Sequence, residues 1–73
     1  MFEPGNPIAL QKELAERVCQ RTGRRVRNLS IELRPDGVVL RGRAPTYHVK
    51  QLAQQGVRDL LPQVELYNAI VVG

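Results

Sequence analysis

Cysteine, tryptophan and histidine are nearly missing from this chain of 73 residues, which holds one Cys, no Trp and one His; its aromatics are Phe2, Tyr47 and Tyr67. A lone Cys19 excludes an intrachain disulfide and a multi-cysteine zinc site. His48 has no cysteine or carboxylate at ligand spacing, so no metal centre is laid out, and nothing calls for a cofactor. Ser30 is the only serine and lies in a strand-like stretch away from His48. No nucleophile, base and acid are set out together, and no catalytic residue is assigned. Long apolar runs are missing as well: no segment suits a bilayer span, and Met1-Phe-Glu-Pro-Gly-Asn-Pro has neither the basic start nor the apolar stretch of a signal peptide. If the chain is complete, this places it in the cytoplasm, with peripheral membrane association open to it.

What is present is a folding composition, 42% hydrophobic against 25% charged residues, in a chain near the lower size limit for one core. Acid is scarce relative to base, giving a net charge of +4 and a pI near 10.0. The excess is local. Between Arg17 and Arg43 stand eight arginines against Glu32 and Asp36, a local +6 that leaves −2 for the rest. Such a stretch suits phosphate-bearing partners, either lipid headgroups or nucleic acid, and a merely soluble surface accounts for it equally well.

Residues 1–6 read as a short extension and residues 7–73 as a single domain. Asn6-Pro7 is a helix start. Ile8, Leu14, Ala15, Val18 and Cys19 gather on one side of that helix, with Leu10 at the edge, and Gly23 stops it. From Arg27 to Arg34 the period becomes two, with Leu29, Ile31 and Leu33 on one face and Asn28, Ser30 and Glu32 on the other. Pro35-Asp36-Gly37 supplies turn chemistry, and a second strand runs from Val38 to Ala44. Its Val38, Leu40, Gly42 and Ala44 share one face, and Val39, Arg41 and Arg43 the other. Thr46 caps a second helix with an apolar stripe at Val49, Leu52, Ala53, Gly56, Val57 and Leu60, and Pro62 ends it. A last strand alternates Val64, Leu66, Asn68, Ile70 and Val72 with Glu65, Tyr67, Ala69 and Val71. The order α-β-β-α-β predicts an α+β two-layer sandwich: a three-stranded mixed sheet, both helices on one face, with the closing strand parallel to the second.

The run Asp36-Gly-Val-Val-Leu-Arg-Gly, followed by a helix with small Ala53 at its centre and the closing Leu66-x-Asn68-x-Ile70-x-Val72, resembles the BON domain, a bacterial module of osmotically induced and nodulation proteins. Asp36, Gly37, Val38 or Val39, Leu40 and Gly42 fit the hairpin pattern; Pro62-Gln63 and Ala44 depart from it. The likeness spans roughly residues 7–72. It implies a non-enzymatic binding module that engages phospholipid or cell-envelope partners and is often found in tandem or attached to other domains.

Two surfaces are candidates for contact. Arg21, Arg24, Arg25 and Arg27 form a basic patch where the first helix meets the first strand, partly explained by the helix's negative end. Val39, Arg41, Arg43, Tyr67 and Val71 mix arginine with apolar and aromatic groups on the uncovered sheet face, a composition typical of protein contacts or homodimers. Nucleic-acid binding fits less well, since the aromatics are scattered and no backbone clamp is present. Gly37 and Gly42 read as turn and close-approach positions, and Asn68 as a partner for a backbone group at the sheet end or a site residue.

Overall fold

The structure is a computed structural model that describes residues 7–73; the Asn6 cap and the six-residue extension lie outside them. The elements are α1 (Pro7–Thr22), β1 (Arg27–Arg34), β2 (Gly37–Ala44), α2 (Tyr47–Leu60), β3 (Leu66–Asn68) and β4 (Val71–Val72). β2 is central, antiparallel to β1 on one side and parallel to both β3 and β4 on the other. α1 packs on α2 and β1, while α2 covers β2, β3 and β4. This is the predicted two-layer α+β sandwich with a mixed sheet.

The core lies between the layers. Leu14 and Val18 of α1, Ile31 of β1, Val38, Leu40 and Ala44 of β2, Val49, Ala53 and Val57 of α2, and Ile70 are all buried. Each large side chain so removed from water contributes about 1.5–3 kcal/mol. The helices touch most closely where a Cβ on Gly56 would stand 2.9 Å from Val18 Cα and 3.1 Å from its amide nitrogen. Close helix approach therefore falls to Gly56. Gly42, expected to help with that approach, instead lies against β1, where a Cβ would come within 2.9 Å of the Arg27 carbonyl oxygen.

Local chemistry sets most boundaries. Thr46 is extended, and its Oγ1 accepts from the Val49 amide at 3.2 Å, satisfying a donor that the first turn of α2 would leave free. Thr22, buried at the end of α1, donates Oγ1 to the Val18 carbonyl at 2.8 Å. Beyond it Gly23 turns left-handed at φ 64°, and the Arg24 amide reaches back to the Cys19 carbonyl at 3.0 Å, the 6→1 bond of a Schellman cap. Gln11 donates to the Ile31 carbonyl on edge strand β1.

Two expectations about the strands are corrected. The closing strand is not continuous: it pairs at Leu66–Asn68, breaks, and pairs again at Val71–Val72. At the break Asn68 Oδ1 accepts the Ile70 amide at 3.2 Å while its Nδ2 donates to the Lys50 carbonyl of α2 at 3.0 Å, and the Ala69 amide keeps its bond to the Leu40 carbonyl of β2 at 2.8 Å. The side chain thus satisfies an amide that faces away from β2 and ties the strand to the helix above. The regular alternation of β1 also fails at its start. Arg27 pairs with Arg43 and Ser30 with Arg41, so two β1 residues, Asn28 and Leu29, oppose the single Gly42. This β-bulge is made by Asn28 at φ 54°, a left-handed conformation that Asn tolerates better than most residues.

The Gly56 contact gives a test of sign. Alanine in a helix is worth about 1 kcal/mol over glycine, whereas forcing a methyl against backbone atoms costs about 1–3 kcal/mol. Gly56→Ala is therefore expected to lower stability by about 1 kcal/mol in urea denaturation; a raised midpoint would show that parting the helices costs less than the helix propensity gained.

Candidate functional site: a groove lined by arginine

The bulge decides which arginines meet. Strict alternation would put Arg27 on the helix-covered face with Leu29; the inserted residue reverses this and sets Arg27 directly opposite Arg43. Arg24 and Arg25 arrive from the Schellman turn at the end of α1, Arg24 itself left-handed at φ 61°. The four arginines, with Ala44, Pro45 and Gly73, line one shallow groove of about 570 Å³. Gly42 permits this arrangement: its φ of 150° and the nearness of the Arg27 carbonyl leave no room for a side chain under the bulge.

Arg25 is anchored, its Nε donating to the Thr22 carbonyl at 2.9 Å at the negative end of α1. Its terminal nitrogens remain available to a ligand. Among the described residues, none of Arg24, Arg25, Arg27 or Arg43 pairs with an Asp or Glu carboxylate. Two exposed side chains flank the groove by register and sequence: Val71 beside Arg43, 56% exposed, and Tyr47 two residues past Pro45, 63% exposed. Val72, paired with buried Ala44, takes the opposite face of the sheet.

Arg21 does not belong to this patch. It points to the other helix, with Nε 2.8 Å and Nη2 2.6 Å from the two oxygens of Asp59, and Arg17 stands 3.9 Å from the same carboxylate. From the last turn of α1, Arg21 leaves toward α2, whereas Arg24 and Arg25 leave beyond the helix end. The Arg21 hydrogen bonds hold Asp59 below the usual carboxylate range and raise Arg21 above its own.

The uncovered sheet face is also rearranged. Val39, expected at the centre of its contact surface, is only 5% exposed. It sits between Glu32 and Tyr67 in the sheet, and Glu32 is held by Arg34 Nε at 2.7 Å and Arg41 Nη2 at 3.8 Å. The Arg34 hydrogen bond lowers the Glu32 pKa more than partial burial raises it. Arg41 is therefore engaged within the chain, and Arg43 joins the groove. Tyr67, 49% exposed, and Val71 remain open on this face.

The remaining candidates are structural or solvent-facing. Asp36 is exposed at the hairpin tip. Gly37 lets the backbone at Glu65 pass, since a Cβ there would lie 2.4 Å from the Glu65 carbonyl oxygen. Asn68 serves the backbone bonds described above. His48 is exposed, Cys19 is half-buried, and among the described residues no three His, Cys, Asp or Glu side chains gather as a metal set. Also among them, no helix is long and apolar enough to cross a membrane. No family model matches the sequence, and neither curated proteins nor solved structures give a significant match.

The Asp59 geometry fixes a pH dependence. A carboxylate with a depressed folded pKa adds stability above its unfolded pKa and loses it as pH falls through the folded value. Asp59→Asn is expected to be less stable than the parent at neutral pH, with the gap closing on acidification below the folded pKa of Asp59; a gap independent of pH would rule out the ion pair as its cause. Arg21→Gln should show the same loss at neutral pH and keep any anion binding of the groove.

Proposed function

We propose that this chain is a non-catalytic binding module that docks on anionic phospholipid headgroups through the arginine groove. The observation that carries this reading is the convergence of Arg24, Arg25, Arg27 and Arg43 on one concave surface, none of them paired with an Asp or Glu among the described residues. Scattered arginines would serve solubility; four brought together, two of them face to face, form a local positive potential that an anion relieves. The exposed Tyr47 and Val71 beside them favour a membrane surface, where aromatic and apolar groups settle among headgroups while arginine meets phosphate. The likeness of the hairpin and closing strand to BON domains supports the same reading.

Magnitudes indicate how the two contributions combine. A basic side chain near an anionic leaflet is worth about 1 kcal/mol, so four give about 4 kcal/mol, a roughly millimolar affinity by themselves. The flanking apolar groups would then bring the domain into a useful range.

A second reading, protein contact or homodimerisation through the uncovered sheet face, is supported by the exposure of Tyr67 and Val71. It rests on a smaller surface than the sequence suggests, because Val39 is buried and Arg41 is held by Glu32.

Flotation with phosphatidylglycerol-containing vesicles and with pure phosphatidylcholine vesicles tests the first reading. Binding is expected only to the anionic vesicles and to weaken with salt as screening shortens to about 8 Å at physiological ionic strength. The triple variant Arg24→Gln, Arg27→Gln, Arg43→Gln is expected to lose about a hundredfold in affinity at about 1 kcal/mol per arginine. Equal flotation of the parent with both vesicle types, or full binding by the folded variant, would refute the proposal.

A further inference from the structure

We infer that the arginine groove is a discrete site for a terminal phosphate, a phosphomonoester or the end of a diphosphate, held between Arg27 and Arg43. This rests on the proposed anion-binding role of the groove and names the group it takes. A phosphodiester carries one charge, whereas a terminal phosphate carries about −1.5 to −2 near neutral pH and offers three acceptor oxygens.

The first argument is the cross-strand pair. Like charges directly opposite in a sheet are destabilising, yet Arg27 faces Arg43 and neither meets an acid among the described residues. Elsewhere four of the five other arginines have an acid, Asp59 for Arg17 and Arg21 and Glu32 for Arg34 and Arg41, and the fifth, Arg58, donates to the Pro62 and Val64 carbonyls. A dianion placed between the Arg27 and Arg43 guanidiniums would convert their repulsion into attraction with bidentate hydrogen bonds.

The backbone of the turn and the bulge points the same way. The two non-glycine residues with positive φ among the described residues are Arg24 at 61° and Asn28 at 54°, and they bracket the segment that carries Arg25 and Arg27. Such positions are uncommon, less so for Asn than for Arg, and they cluster where a binding geometry is held in advance. Here they aim the side chains of the turn and of the bulge at one groove, with Arg25 already fixed by the Thr22 carbonyl. The volume of about 570 Å³ is within the range of small-molecule sites. Diffuse attraction to a charged surface needs none of this convergence.

Calorimetric titration of the whole chain with inorganic diphosphate, with sodium chloride added to matched ionic strength in the reference, tests the site. One-to-one saturable binding is expected, with a rise in Tm that chloride does not reproduce. Arg27→Gln and Arg43→Gln should each weaken binding about tenfold or more, while leaving the Tm of the free protein unchanged or higher because the facing pair is gone. Arg34→Gln, outside the groove, should bind diphosphate as the parent does. No saturable binding, or the same binding by folded Arg27→Gln and Arg43→Gln, would overturn the inference. Vesicles separate the sources of the phosphate: preference for phosphatidic acid over phosphatidylglycerol at equal surface charge marks a lipid phosphomonoester, and diphosphate binding without that preference marks a soluble ligand. Flotation on both anionic lipids without diphosphate binding would leave the membrane reading standing and remove this one.

Discussion

The contact of Val18 with Gly56 is the constraint on which the other contacts depend. With no side chain on Gly56, α2 lies directly against the backbone of α1, and Leu14, Val18, Ala53 and Val57 close over the sheet with little space between them. That contact fixes how α1 lies on α2, and Gly23 fixes where α1 ends. Thr22, one turn beyond Val18 and bonded to its carbonyl, is buried by the same packing, and the Schellman turn that follows releases Arg24 and Arg25 at one end of the sheet. The position of these charges is therefore set by the helix packing and the Gly23 cap together.

The other half of the groove comes from the sheet. One extra residue in β1 transfers Arg27 to the side of Arg43, and Gly42 beneath it makes the insertion sterically feasible. A small domain has only a few kcal/mol of net stability, so even an exposed like-charge pair, at roughly a few tenths of a kcal/mol, counts against folding. In the proposed function the burden is the site: what opposes folding in the free protein attracts an anion in the complex. The chain shows the opposite treatment at Asp59 and Glu32, where arginines are neutralised within the fold and serve its helix layer and its sheet face.

The helices, the hairpin and the parallel closing strand are legible in the sequence because their signals are local. Thr46 before a helical apolar stripe, Gly23 at the end of another, and Pro35-Asp36 between alternating runs each act over a few residues. The groove was legible only in part. The bulge leaves the Leu29, Ile31, Leu33 alternation intact because the inserted residue precedes it, and its one sequence signal is Asn28, a residue at ease with positive φ. The Arg21–Asp59 pair joins positions 38 apart in the chain, and no periodicity links them. Val39 falls on the uncovered face as its alternation predicts, but its burial depends on neighbours from two other strands. At the Ala69–Ile70 break, likewise, a strand pattern does not encode what Asn68 meets on α2.

The most direct test of the account is to titrate the isotope-labelled domain with bicelles, zwitterionic and then anionic, and follow backbone amide shifts. The account predicts that only anionic bicelles move signals, and that the moved signals cluster at Gly23–Arg27, Gly42–Ala44, Tyr47 and Val71–Gly73, the residues of the groove and its apolar rim. Perturbation centred instead on Glu32, Arg41 and Tyr67, or equal responses to both bicelle types, would contradict it.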